Sequence, residues 1–378
     1  MIRDVDTEAL LREGIIAKFG VDAGATIKHI FRISDLVVVC ADPGQYCHRL
    51  GARNGETPQK KCQVGHRQMR VTLHWTALLL GILAVALVAS EAAWQLYTRY
   101  VSKRDPLVRS NAQTGWSNKP NLLTMRINAA GERWSIRTYQ NGQRIIAQNP
   151  NARRRILILG DSLSFGEGID IKDRFDVKML SSLPDARVIN TGTMGFGTDQ
   201  EYVDFRNWKH LLEPGDTVLI VLNQSDYFDV LRRRFVGRAK PCFEKVDGSY
   251  VLRPPLIGFW ERLSNWSRVA SAVARFVEPT APESLDLSQS IDIIRFILGR
   301  IREETPRGVR VVLAHQGTRD FLEPKLGLSS TIFCQFADVC IDLDDVLAAD
   351  PVHVLPDGHW SALGHAAVAQ AILKTLRD

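Results

Sequence analysis

Little in this sequence of 378 residues belongs to a disulfide scaffold or a metal module. Its cysteines, Cys40, Cys47, Cys62, Cys242, Cys334 and Cys340, are scattered, and none sits in a C-x-x-C pair that would suggest structural zinc. Charge of one sign is scarce too. Lys and Arg number 48 against 42 Asp and Glu, and a formal net charge of +6 is too mild to argue for nucleic acid. Internal repeats are missing. A content of 45% hydrophobic and 24% charged residues excludes a disordered chain, a collagen-like chain and a polytopic transporter. No lysine follows Gly166 or Gly168, so that glycine-rich stretch is not a phosphate-binding P-loop. Asp357, His359 and His365 lack the spacing of a zinc-protease helix. Neither a metal nor an organic cofactor is expected.

What the chain does have is one long apolar run. From Val71 to Tyr97 it reads VTLHWTALLLGILAVALVASEAAWQLY, with no charge between Thr76 and Ser90. A membrane-crossing helix needs about 20 such residues. Trp75, Trp94 and Tyr97 stand near its ends, where amphipathic rings favour the headgroup layer. Residues 71–97 are therefore expected to anchor the protein in a membrane; a buried core helix, the alternative, seldom runs so long without charge. Lys60, Lys61, Arg67 and Arg70 precede the run while Arg99, Lys103, Arg104 and Arg109 follow it, so flanking charge does not set the orientation. Residues 1–70 carry no readable motif. They form a tail of unknown role, or the gene start is over-extended and the anchor begins at Met69-Arg70. Ala84-Val85-Ala86 would suit signal-peptide cleavage, but the apolar stretch continues past it.

Residues 98–150 read as a polar linker, ending in Gly115-Trp116-Ser117-Asn118-Lys119-Pro120-Asn121, and then a small β-hairpin around Ala130-Gly131. From 151 to 378 the pattern changes to short apolar runs spaced by helix-length stretches. The runs are Ile156–Leu159, Arg187–Asn190, Thr217–Leu222, Val309–Ala314 and Val339–Leu343. Helical periodicity fits Gln200–Leu212, Ser284–Thr305 and Ala362–Leu376. Strands alternating with helices imply an α/β domain whose parallel sheet is covered on both faces. Arg253–Pro282 reads as an irregular, aromatic excursion.

The most informative stretch is RRRILILGDSLSFGEGID. Ser162 would open a helix at the carboxyl end of the strand Ile156–Leu159, the edge at which open parallel sheets place their sites. Free N–H groups and the helix dipole there would favour a developing oxyanion. The bland alternative is that Ser162 merely caps the helix. Gly160-Asp161-Ser162-Leu163 resembles the first block of the SGNH, or GDSL, hydrolases. VINTGTMGFGTDQ resembles their second block, with Gly195 as the matching glycine, and PDGHWSALGH their last, an acid shortly before a histidine. The GW-x-x-KPN stretch and Lys240-Pro241-Cys242-Phe243 also look like membrane-anchored members of that family.

The resemblance implies a three-layer α/β/α sandwich with a central parallel sheet of flavodoxin-like kind, preceded by one transmembrane helix. It further implies a serine hydrolase. Ser162 would be the nucleophile, His359 the general base and acid, and Asp357 the group that holds the imidazole. The Ser162 and Gly195 N–H groups would meet the oxyanion. Two departures matter. Aligned on Asp226, the Asn position of the third block holds Ser225, while Asn223 lies two residues earlier; either could complete the oxyanion hole. The family's acid usually stands three residues before the histidine, where Pro356 is found. Asp357 stands two before it, with Asp350 as the fallback.

Among the remaining candidates, His315 and His365 read as structural, and Ser164 as a hydroxyl bonded to local backbone. Arg153–Arg155 and Arg232–Arg234 read as solvated or headgroup-facing, with an anionic glycan as the lesser alternative. Cys334 and Cys340 would pair in an oxidising compartment, leaving Cys242 free. The expected protein is a single-pass inner-membrane esterase with its catalytic domain in the periplasm or outside the cell. Its substrate would be an ester of an envelope polysaccharide or a lipid-like ester. Two alternatives stand beside it: an O-acyltransferase of the same fold, served by an envelope-biosynthesis partner, and a catalytically inactive binding module.

Overall fold

The computed structural model describes three strands at 27–33, 36–41 and 48–50, the stretch 58–97, and 107–377 except 145, 147–148, 277–285 and 330. The chain divides into two compact units, Met1–Ala89 and Ser90–Asp378. In the first, Ile27–Ile33, Leu36–Ala41 and His48–Leu50 pair antiparallel as a meander. The apolar run lies in a helix, Pro58–Leu96, of which His74–Leu96 is long and apolar enough to cross a membrane. None of its most apolar window is buried, which separates it from a core helix.

The second unit is built on five parallel strands: β1 (Arg154–Leu159), β2 (Ala186–Asn190), β3 (Thr217–Leu222), β4 (Arg310–His315) and β5 (Val339–Asp342). Their spatial order is 2-1-3-4-5. Each apolar run read as a strand matches one of them to within two residues, and the central β3 is buried at every position, as a strand covered on both faces should be. The two faces separate cleanly. Leu157, Leu159, Val218, Ile220 and Leu313 pack with Phe205 and Ile297 on one side. Ile156, Ile158, Leu219, Val221 and Val312 pack with Phe175, Met179 and Ile372 on the other. The covering helices are Thr198–Trp208 and Leu287–Glu304 on the first face, Phe175–Ser182 and Ala362–Arg377 on the second. The fold is thus a three-layer α/β/α sandwich. Each fully buried Leu or Ile contributes about 1.5–3 kcal/mol by leaving water.

Two stretches differ from their sequence reading. The polar linker contains a hairpin, Val108–Asn111 with Gly115–Asn118, and its Trp116 is buried. The expected hairpin follows, as Leu123–Ile127 with Arg133–Arg137. The aromatic excursion contains two helices, Phe259–Leu263 and Arg268–Phe276, whose short length hid their periodicity. The end of that excursion, 277–282, lies outside the described residues.

Candidate active site

In an open sheet of this order the chain leaves β1 toward β2 on one side, and leaves β3 toward β4 on the other. The loops after β1 and β3 therefore part and open a crevice at the carboxyl edge. Ser162 stands after β1 and Asn223 after β3, and both line an open cavity of ≈ 1370 Å³ together with Gly195, Ser225, Asp357 and His359.

The turn that carries Ser162 is fixed by buried groups. A Cβ on Gly160 would lie 2.1 Å from Ser164 Oγ, so only glycine allows the strand to close onto the helix Ser162–Phe165. Asp161 caps that helix by accepting the Leu163 N–H at 2.9 Å. Burial raises the Asp161 carboxyl above its usual range, against the Leu163 N–H and the neighbouring Asn223 and Ser225 side chains. Arg144 is 3% exposed and donates to the carbonyl oxygens of Ser135, Phe165, Gly166 and Ile169. Asn190, closing β2, donates to Ser164 O at 2.8 Å and accepts the Gly192 N–H at 2.9 Å. Ser164 itself is buried, and its hydroxyl has no hydrogen-bond partner rather than the local backbone bond expected of it.

The Gly195 loop is held by the hairpin Val108–Asn111 with Gly115–Asn118. Trp116 Nε1 donates to Met194 O at 2.9 Å, and Asn118 Nδ2 to Gly192 O at 2.8 Å. Gly115 lies where a Cβ would be 1.9 Å from Ala239 O, beside Lys240. Lys240 is buried against Asp199 and donates to Asp229 O at 2.8 Å. The GW and KPCF stretches thus pack on one another and brace the loop.

Asn223 and Ser225 separate in role. Asn223 Oδ1 accepts the Ser225 N–H at 2.8 Å, which orients the amide and leaves Nδ2 buried without a partner. The Ser225 hydroxyl instead donates to Asp161 at 3.3 Å. Asp226 accepts the Asn223 N–H at 2.9 Å and the Thr198 hydroxyl at 3.0 Å; burial, with Asp161 nearby, pushes its carboxyl well above the ordinary range.

His359 arrives on a tight turn. Gly358 N–H donates to Leu355 O at 2.9 Å, with Pro356 at the second position, where its fixed φ suits a turn. Trp360, fully buried, donates to Gln316 at 2.7 Å and pins the strand end beside the imidazole. His359 Nε2 lies 3.0 Å from Ser162 Oγ, and Nδ1 lies 3.2 Å from an Asp357 oxygen, in ion-pair range but out of line for a hydrogen bond. Asp350 is occupied elsewhere, capping the Val352 N–H at 3.0 Å.

Sequence reasoning passed over Glu167. Gly166 takes a left-handed conformation, φ 76°, so the chain folds back and the Glu167 N–H donates to Ser162 O at 3.0 Å. This reversal puts a Glu167 oxygen 3.2 Å from His359 Nε2, competing with Ser162 for the same nitrogen. Burial works to lower the His359 pKa, but Glu167 and then Asp357 outweigh it and raise the value to about 9. The glycine after the short helix was the available signal.

The other residues take structural places. His365 is buried and accepts the Phe175 N–H at 3.3 Å; burial holds its pKa well below the usual value. His315 pairs with the Thr318 hydroxyl at 3.1 Å. Cys334 and Cys340 form a disulfide, and Cys242 is free and buried. The two sulfurs lie near His315, but their bond to each other leaves no thiolate for a metal. Arg154 pairs with Asp185, Arg155 with Asp216, and Arg232, Arg233 and Arg234 with Asp229, Glu244 and Glu261.

No family model and no curated protein matches the chain. Among solved structures it is similar to a lipolytic protein of the G-D-S-L family from Veillonella parvula, with 12% identity and TM-score 0.36 over 58% of this chain and 97% of that one. It is similar to TesA, with 14% identity and TM-score 0.37 over 59% and 97%. It is also similar to the psychrotrophic esterase EstA from Pseudoalteromonas, with 13% identity and TM-score 0.35 over 59% and 99%. The chain's own geometry gives a layered α/β/α fold with Ser162, Gly195, Asn223, Asp357 and His359 gathered around one cavity.

Proposed function

We propose that this protein is a membrane-anchored serine esterase that cleaves an acyl ester through Ser162, His359 and Asp357. The observation that carries the reading is the Ser162 Oγ–His359 Nε2 pair at 3.0 Å, in a cavity also lined by the unpartnered Asn223 amide. Ser162 Oγ attacks the ester carbonyl carbon while His359 Nε2 takes its proton. The oxyanion is met by Asn223 Nδ2 and by the Ser162 and Gly195 N–H groups, each such donor typically contributing about 2.7–4 kcal/mol. His359 then returns the proton to the leaving alkoxide, and the acyl-serine is hydrolysed by a water activated in the same way. Asp357 steadies the imidazolium. Its hydrogen bond to Nδ1 would align as substrate closes the site, since such contacts are often loose before binding.

The Cys334–Cys340 disulfide supports a catalytic unit in an oxidising compartment, periplasmic or extracellular. An envelope glycan ester or a lipid-like ester would be the substrate there. Full-length protein in detergent is the material for the test, challenged with 4-nitrophenyl esters and with acetylated glycans. Release of free acid, together with labelling by a fluorophosphonate probe, is expected. Acyl groups recovered on a sugar hydroxyl would make it an acyltransferase, and an unlabelled, inert protein would make it a binding module.

A further inference from the structure

The segment after the strand Ser249–Arg253 presents large apolar side chains outward. Leu256 is 76% exposed, Phe259 69%, Trp266 82% and Phe276 94%. Apolar rings concentrated in one segment mark a surface that something covers. The same segment is bonded to the end of the long helix. The Glu91 carboxylate accepts the Ser267 hydroxyl at 2.7 Å and the backbone N–H groups of Arg268 and Val269 at 2.6 and 2.9 Å. Gln95 Nε2 donates to Trp266 O at 3.4 Å. Glu91 thereby satisfies N–H groups at the start of the helix Arg268–Phe276 that would otherwise lack partners. It is an acidic residue within His74–Leu96, where a carboxylate is costly unless bonded in this way. Both sides of the junction also reach the active-site cavity, which is lined by Trp94 and Tyr97 from one and by Arg268, Ser271 and Ala272 from the other.

We propose that the segment Leu256–Phe276 docks on the lipid surface crossed by the helix His74–Leu96, and that the cavity takes an ester presented at that surface. This rests on reading the helix as a membrane anchor and the cavity as an esterase site. The occupant is a bilayer because the segment is tied to the point where the apolar helix ends, which is where lipid headgroups begin. Phe and Trp side chains partition to that depth, and Arg262, exposed among them, suits anionic headgroups. With Trp94 and Tyr97 in its wall, the cavity lies within reach of an ester in the same layer.

The test reconstitutes the full chain in vesicles of phosphatidylethanolamine and phosphatidylglycerol, with and without brominated acyl chains. Bromolipid should quench part of the tryptophan emission. Trp266→Phe should remove a share of that quenching, whereas Trp208→Phe, at a side chain packed on the protein core, should remove none. In activity, Phe259→Asp with Trp266→Asp should slow cleavage of vesicle-borne 4-nitrophenyl palmitate by about tenfold, as lost interfacial binding predicts. Cleavage of 4-nitrophenyl acetate in water should not change. A chain that fails to float with the vesicles overturns the anchor reading and the docking with it. A chain that floats but whose Trp266→Phe form is quenched like wild type overturns the docking alone. Equal effects of the double variant on both esters overturn the assignment of substrate. A chain that floats and cleaves neither ester overturns the esterase reading, while quenching still decides the docking.

Discussion

Around Ser162 the backbone is fixed by side chains that are buried: Arg144, Asp161 and Asn190 are 3–6% exposed. Around His359 the supports are a surface turn and two carboxylates, with the Asp357 side chain 42% and the Glu167 side chain 29% exposed. The first arrangement sets geometry through covered hydrogen bonds that cannot be exchanged for water. The second sets charge, and leaves the imidazole room to adjust. A serine hydrolase needs its oxyanion donors immobile and its base able to swing between serine and leaving group, so this asymmetry matches the chemistry proposed.

Variants on the two sides should therefore fail differently. The largest effect is expected at the proposed nucleophile. Ser162→Ala should lower ester hydrolysis by about 10⁴-fold or more and abolish fluorophosphonate labelling, while Ser164→Ala retains both. A Ser162→Ala protein labelled at the wild-type rate would place the nucleophile elsewhere. Next comes the amide proposed for the oxyanion, Asn223. Asn223→Ala should reduce kcat by about 10²–10³-fold with KM little changed, and Ser225→Ala by less than about tenfold. Equal losses would mean that the two residues share the hole.

Stability sharpens the contrast further. Arg144→Met leaves buried carbonyl oxygens without donors and should cost about 3 kcal/mol in denaturant unfolding, whereas Glu167→Gln should cost no more than about 1.4 kcal/mol at neutral pH, the worth of one pKa unit at His359. Comparable destabilisation by the two would erase the distinction between a geometric and an electrostatic side.

The smallest effect is a displaced pH profile. With His359 raised to about 9, most of it is protonated at neutral pH, and kcat/KM should climb toward the alkaline side. Glu167→Gln removes an opposing charge, so the rising limb should move to lower pH by about one unit. Stability carries the matching sign. The folded value lies above the ordinary 6.5, so this contribution is fully present below pH 6.5 and fades as pH rises through about 9. Melting temperature recorded across that window should fall less steeply in Glu167→Gln than in wild type, and an unchanged slope would remove Glu167 from the imidazole.

The sequence by itself determined the layers. Short apolar runs spaced by helix-length stretches read as strands covered on both faces, and the spacing of apolar residues in Leu287–Glu304 and Ala362–Arg377 reads as a helix with one buried side. It also determined the apolar helix, since length without charge is a property of local composition. Tertiary structure alone decided the rest. Trp116 looked like part of a linker because its partners, Met194 and Phe235, are remote in sequence. The preference proposed for Asn223 over Ser225 rests on which side chain is already hydrogen-bonded, a fact about three-dimensional neighbours. Glu167 met His359 only after the reversal at Gly166 and the return of the chain across the sheet. Local pattern fixes what each segment must bury, but contact between remote polar groups depends on the path of the whole chain.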